Sequence, residues 1–291
     1  MKLVSFLHDG QCQIGAVIDN WIIPAGNELP NDMIAFLAAG RPALEALQSL
    51  VASDTNRIPL TDATLMAPIP RPGKFIGIGL NYADHISETG REKPEYPTFF
   101  TKQSTCVIGQ DQPIHCPAIS EKVDYEGELA FVIGQRCKHV ALERAHEVIA
   151  GYTICNDVTV RDWQQRSPTW TLGKSFDTHG PMGPWLVTAD ELVDPHGLRI
   201  RTWVDDQLRQ DASTSDMLFN CFEMVSYLSQ AMTLEPGDVI TTGTPAGVGV
   251  KMKPRGYLKP GQTVRIEIEG IGCLSNPVIA EPEGFVVLQA N

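Results

Sequence analysis

No stretch of the chain approaches the roughly 20 consecutive apolar residues that a bilayer-crossing helix needs. The sequence therefore predicts no membrane association. The seven cysteines, Cys12, Cys106, Cys116, Cys137, Cys155, Cys221 and Cys273, contain no Cys-x-x-Cys pair and are odd in number. Such a set reads as free thiols in a reducing compartment rather than as a disulfide framework. Positive charge is scarce: 23 Lys and Arg stand against 35 Asp and Glu, a formal net charge of -12. A polyanionic phosphate backbone repels such a chain, so nucleic acid is excluded as a partner. An anionic substrate would need a metal or local cations to hold it. The apolar run after Met1 is too short for a signal peptide, and the cytoplasm is the expected location. The nucleotide signatures also fail. The loop Thr241 to Gly249 lacks the Gly-Lys-Ser/Thr ending of a P-loop, and Gly77-x-Gly79 has Tyr82 where a third glycine belongs.

What is present is an ordinary globular balance, 43% hydrophobic and 20% charged over 291 residues. Short strands are predicted at 3–7, 13–18 and 21–23, parted by turn sequences at His8-Asp9-Gly10-Gln11 and Asp19-Asn20. A helical pattern follows over 32–51, broken by Gly40 and Pro42. Three prolines between Pro68 and Pro72 cannot lie inside a helix or a central strand. They divide a small N-terminal domain (1–66) from a main domain (74–291) through a linker at 67–73. Further strands are predicted at 74–79, 129–133, 148–155, 184–187, 198–204, 239–241 and 263–268. A short helix is expected at 142–146 and an amphipathic one at 216–231, and Asn81 is expected to cap a helix that carries His85. Many short strands with Gly and Pro punctuation predict a β-rich α+β fold rather than alternating βαβ units.

Candidate chemistry concentrates in a few segments. Glu126 and Glu128 stand two apart at the start of the apolar run Leu129 to Ile133. On a strand, residues two apart share a face. Two anions side by side repel unless a cation lies between them. A bare Glu-x-Glu is more often a solvated strand face, but here the strand enters the core. Asp157 ends a second apolar run, Val148 to Cys155. Three carboxylates near apolar strands suit a hard divalent cation, Mg²⁺ or Mn²⁺ rather than zinc. His85 and Glu88, three apart on a helix, share a face, and a carboxylate beside an imidazole fixes its tautomer and raises its basicity. The pair forms a general base able to take a proton from water. Lys174 could hold a carboxylate or an oxyanion, and Arg161 and Gln164 follow Asp157 closely enough to line the same cavity. The loop containing Thr244 offers backbone N–H groups to an anion.

In order, these segments are Gly79-Leu80-Asn81-Tyr82-x-x-His85-x-x-Glu88, Asp124-Tyr125-Glu126-Gly127-Glu128, Asn156-Asp157-Val158-Thr159-x-Arg161-Asp162, Gly173-Lys174-Ser175-Phe176-Asp177-Thr178 and Thr242-Gly243-Thr244-Pro245-Ala246-Gly247-Val248-Gly249. The series resembles the fumarylacetoacetate hydrolase superfamily, over roughly residues 70–280. It looks most like the acylpyruvate hydrolase and oxaloacetate decarboxylase types. The resemblance implies a mixed β-sandwich roll, a homodimer, and a Mg²⁺ or Mn²⁺ site on Glu126, Glu128 and Asp157. It implies a catalytic dyad of His85 and Glu88 with Lys174 as third partner, and substrate contacts from Gln164 and Thr244. The founding hydrolase has a fourth acidic ligand with no counterpart located here, which points away from fumarylacetoacetate itself. The expected reaction is metal-dependent hydrolysis of a C–C bond in a 2,4-dioxo acid to pyruvate and a carboxylic acid. Oxaloacetate decarboxylation and 2-hydroxy-dienoate isomerisation or tautomerisation are the enzymatic alternatives. An inactive metal-binding dimeric scaffold is the non-enzymatic one. The group beyond the pyruvoyl end is expected to meet side chains from 89–101 and 165–170.

Overall fold

A computed structural model describes residues 1–53 and 56–283. Its main sheet runs, in spatial order, through Ile58–Pro59, Trp21–Pro24, Gln11–Ile18, Lys2–His8, Gly180–Thr188, Ile149–Asn156, Gly127–Ile133, Val239–Thr241, Phe75–Gly79 and Thr98–Lys102. Neighbours are antiparallel except Val239–Thr241 with Phe75–Gly79, which pair in parallel. The first three strands form the predicted meander and extend the same sheet, with Leu3 opposite Leu186. A second sheet, in the order Gln207–Ser213, Arg199–Val204, Thr263–Ile268, Gly272–Ala280 and Ile114–Cys116, packs against it.

The strand Gly127–Ile133 is buried along its whole length. Its side chains alternate between two cores. Leu129, Phe131 and Ile133 join Ile154, Val264, Ile266 and Leu274, together with Met224, Val225 and Leu228 of the helix Cys221–Ala231. Ala130 and Val132 join Leu3, Met33, Phe36 and Leu47 on the opposite face. Burial on both faces is why the sequence here is apolar without alternation. Each large side chain so buried stabilises the fold by about 1.5–3 kcal/mol, and truncating Phe131 to Ala would cost about 3–5 kcal/mol.

Three local expectations need correction. The helix predicted over 216–231 starts at Cys221, because Asn220 caps it and pairs reciprocally with Glu223. Thr214–Asp216 is a separate 3₁₀ turn with its own cap at Ser213. Leu142–Val148, expected as a short helix, is also a 3₁₀ segment. Asn81 caps no helix: the Ala83–Thr89 helix has Tyr82 at that position, without a side-chain bond. Instead the Asn81 amide donates to the carbonyls of Thr242 and Phe219 and accepts from the Phe219 N–H. It fastens the loop after Val239–Thr241 to the segment that launches the helix bearing His85.

Candidate active site and metal centre

Glu126, Glu128 and Asp157 meet because two antiparallel strands are in register. Gly127 faces Asn156, Glu128 faces Cys155, and the Asp157 N–H donates to the Glu126 carbonyl at 2.9 Å. Glu128 lies in the strand; Glu126 lies just before it, in an irregular link after Val123–Asp124. The Asn156 side chain fixes that link by accepting the Glu126 N–H. One oxygen from each carboxylate falls within 4.8 Å of the others, and all three residues are buried. A solvated strand face is therefore ruled out for Glu126 and Glu128.

Cations surround part of this cluster. Lys174 Nζ lies 2.6 Å from Glu126 Oε2 and 2.5 Å from Asp157 Oδ2. It is brought there by the short helix Thr171–Lys174, packed so closely on a neighbouring turn that a Cβ on Gly173 would sit 2.2 Å from the Gln164 nitrogen. Only glycine fits between them. Arg161 bridges Asp124 and Glu126 at 2.8 and 2.7 Å. Lys102, which sequence reasoning missed, places Nζ 2.7 Å from Asp157 Oδ1 and also donates to the Lys174 carbonyl. The signal for it was present: Phe100 and Lys102 take the inward positions of the Thr98–Lys102 strand, at period two.

The electrostatics are uneven. Burial works to raise the Glu126 carboxyl, but Lys174 and Arg161 outweigh it and hold it below its usual range. Glu128 accepts the Gly243 N–H at 2.9 Å and forms no ion pair among the described residues. Burial, followed by the charges of Asp157 and Glu126, pushes its carboxyl well above the usual range. Gly243 reaches it from a φ of +91°, a conformation that favours glycine. Four clustered carboxylates, Asp124 included, thus face three cations, with the uncompensated charge on Glu128. An ammonium already seated between Glu126 and Asp157 shows that the cluster attracts a cation. The all-oxygen donor set suits a hard divalent ion. The residues present fit the metal that the sequence predicts.

His85 lies on the helix Ala83–Thr89, which Gly90 ends in the left-handed region at φ 70°. Its Nδ1 is 3.3 Å from Glu88 Oε2, and the other Glu88 oxygen accepts the Gly247 N–H at 3.2 Å. A carboxylate partner places the imidazole proton on Nδ1 and leaves Nε2 as the basic nitrogen. His85, Glu126, Glu128, Arg161, Gln164, Lys174 and Thr244 line one cavity of about 340 Å³. Glu88 supports His85 from behind. The Gln164 side-chain Oε1 accepts from Arg161 at 3.2 Å. The Thr244 hydroxyl donates to the Gly127 carbonyl and accepts from Gln210, a second residue the sequence did not single out. Thr89, Arg91, Phe100, Gln165 and Trp170, from the two segments expected at the mouth, complete much of the wall.

The family model for the fumarylacetoacetate (FAA) hydrolase C-terminal domain matches residues 74–279. Mitochondrial oxaloacetate tautomerase fahd2 of Xenopus laevis is 44% identical over 253 residues, covering 86% of this chain and 79% of that protein. Fumarylacetoacetate hydrolase from psychrophilic Exiguobacterium antarcticum superposes with a TM-score of 0.86 at 37% identity, covering 97% of this chain and 100% of that one. Maleylpyruvate hydrolase from Sphingobium sp. SYK-6, in complex with manganese (II) ion and pyruvate, gives 0.82 at 32% identity with the same coverage. With a carboxylate cluster suited to a divalent metal on this fold, the chain belongs to the fumarylacetoacetate hydrolase superfamily and is an enzyme of it.

Proposed function

We propose that the chain acts on 2-oxo acids by moving a proton at the carbon next to the 2-oxo group, interconverting keto and enol forms. The observation that carries this reading is the placement of one oriented base, His85, in the same cavity as Glu126 and Glu128 of the carboxylate cluster. Glu126, Glu128 and Asp157 would hold a Mg²⁺ or Mn²⁺ ion, which would supply Lewis acidity toward the 2-oxo acid end of the substrate. His85 Nε2 takes the proton from C3 in the keto form, and the C–H electron pair becomes the enol double bond. The imidazolium then returns a proton to the 2-oxygen; the reverse sequence makes the keto form. Glu88 stabilises the transient imidazolium, and the Gly247 N–H holds Glu88 in place.

Two facts favour proton transfer. The Xenopus relative carries the name of an oxaloacetate tautomerase. Lys174, which hydrolysis would use on an oxyanion, is engaged by Glu126 and Asp157. Hydrolysis of a 2,4-dioxo acid is the second reading. It is supported by the likeness to a maleylpyruvate hydrolase carrying manganese and pyruvate, and by the ability of the same dyad to activate water.

The test is exchange of the C3 protons of oxaloacetate in deuterium oxide, followed by NMR with the metal-loaded protein. His85→Ala should slow exchange by about 10²- to 10⁴-fold while metal binding persists. Exchange that survives either this substitution or complete chelation would sink the proposal. Cleavage of an acylpyruvate outpacing exchange would promote the second reading.

A further inference from the structure

We propose that Gln210 is a positioning residue of the site. Its side-chain amide fixes the Thr244 hydroxyl so that the cavity meets an acceptor there, which favours a ligand O–H over a carbonyl or carboxylate oxygen. This rests on the 2-oxo acid reading above and adds the polarity of one contact within it.

Gln210 belongs to the strand Gln207–Ser213 of the second sheet and is 1% exposed. Its amide touches both halves of the site. Oε1 accepts the N–H of Gly127, the residue between Glu126 and Glu128, at 3.0 Å. Nε2 donates to the Pro245 carbonyl at 2.9 Å and to Thr244 Oγ1 at 2.7 Å. This approach needs a glycine at 127, because a Cβ there would stand 2.2 Å from Thr202 Oγ1 and 3.3 Å from Gln210 Oε1. The orientation of the amide has no alternative. A backbone N–H can only donate and a backbone carbonyl can only accept, so oxygen faces Gly127 and nitrogen faces Pro245.

A hydroxyl has one hydrogen and two lone pairs. At Thr244 one lone pair takes a Gln210 N–H, and the hydrogen goes to the Gly127 carbonyl at 3.0 Å. Three hydrogen bonds thus close a ring: Gly127 to Gln210, Gln210 to Thr244, and Thr244 back to Gly127. Thr244 lines the cavity while only 4% exposed, and the second lone pair is all its hydroxyl has left to offer there. An O–H in that place completes the bonding of the hydroxyl. A keto or carboxylate oxygen sets lone pair against lone pair, a repulsive element that discriminates between ligands. The enol of a 2-oxo acid carries an O–H that the keto form lacks, so the contact bears on the balance between the two. Without Gln210 the hydroxyl is free to turn its hydrogen into the cavity, and the distinction fades.

Lactate carries an O–H where pyruvate carries a carbonyl, so the ratio of their affinities reads this polarity, which a merely structural role would not move. The experiment is a calorimetric titration of the metal-loaded full chain with each acid, repeated on Thr244→Val, Thr244→Ser and Gln210→Met. The lactate-to-pyruvate affinity ratio should fall by about 3- to 10-fold in Thr244→Val, the worth of one hydrogen bond. It should fall by at least about 3-fold in Gln210→Met and persist in Thr244→Ser. A ratio unchanged or raised in Thr244→Val overturns the inference and leaves the 2-oxo acid reading standing. So does a ratio lost equally in Thr244→Ser, or kept in a folded Gln210→Met. Gln210→Met strips the buried Gly127 N–H of its partner and can fail to fold, so neutron diffraction from crystals of the parent supplies a second measurement. The Thr244 hydroxyl deuterium should point at the Gly127 carbonyl; a deuterium directed into the cavity overturns the inference. Binding of neither acid overturns it together with the 2-oxo acid reading.

Discussion

Replacing Lys102 with Met tests how the cluster is held. Lys102 is 3% exposed, and its ammonium has two recorded acceptors, Asp157 Oδ1 and the Lys174 carbonyl. Burial alone would lower its pKa; the Asp157 charge more than reverses that, and the group is pushed up to about 12. Methionine keeps most of the volume and removes the charge. Asp157 then keeps Lys174 as its ion-pair partner and loses the other. Removing one member of a buried ion pair costs about 3–5 kcal/mol, because the remaining charge stays buried. For 291 residues the unfolding entropy is about 0.6 kcal/mol per kelvin, so Tm should fall by about 5–8 °C. The assay is thermal unfolding of chelated protein by circular dichroism. Adding Asp157→Asn should give back part of the loss, since both charges are then gone. A drop under about 1 °C, or strictly additive effects, would refute the view that Lys102 holds Asp157 in place.

Other substitutions bear on different parts of the site. Glu128→Gln removes the carboxylate whose charge is least compensated, so the chelated variant should melt at or above the parent's Tm. It should also lose the stabilisation that excess Mn²⁺ gives the parent, about 2.7 kcal/mol at a hundred times Kd. A variant that still gains stability from the ion would show that Glu128 is not a ligand. His179 is fully buried, donates from Nε2 to the His115 carbonyl, and is pulled down to about 3 by burial. The folded chain keeps it neutral while the unfolded chain protonates it below about 6.5, so its contribution is complete above that pH. Stability should then fall by up to about 1.4 kcal/mol per pH unit between about 6.5 and 3. Urea unfolding across that range should show a shallower acid decline for His179→Gln; identical slopes would count against the assignment.

The buried carboxylate cluster was legible because burial leaves a mark on sequence. Glu126, Glu128 and Asp157 each adjoin an apolar run too long to be a solvated face, and charged residues so placed need a cation. His85 with Glu88 was legible from helical spacing alone. The meander and the two central strands were legible from turn chemistry and unbroken hydrophobicity. Lys102 was not recognised because one lysine at a strand end looks solvated until the inward position of Phe100 is noticed. Gln210 could not be found at all, since it reaches Thr244 from the other sheet and only tertiary packing brings them together. Asn81 was misjudged for a related reason. Its local context suits a cap, while two long-range carbonyls compete for the same amide and win. The helix over 216–231 was drawn too long because apolar spacing continues across Met217 and Phe219, whereas the Asn220–Glu223 capping pair fixes its start.

The register that sets Gly127 against Asn156 also makes the site a gauge of correct folding. A slip of two residues keeps side chains on their proper faces and costs the cores comparatively little, yet it moves Asp157 roughly 7 Å along the strand relative to Glu126. No ion could then span the three carboxylates. A misaligned chain would look folded by circular dichroism and remain blind to metal. The stoichiometry of a divalent ion bound at this cluster would therefore count the molecules whose two central strands are aligned, which no measure of secondary structure can do.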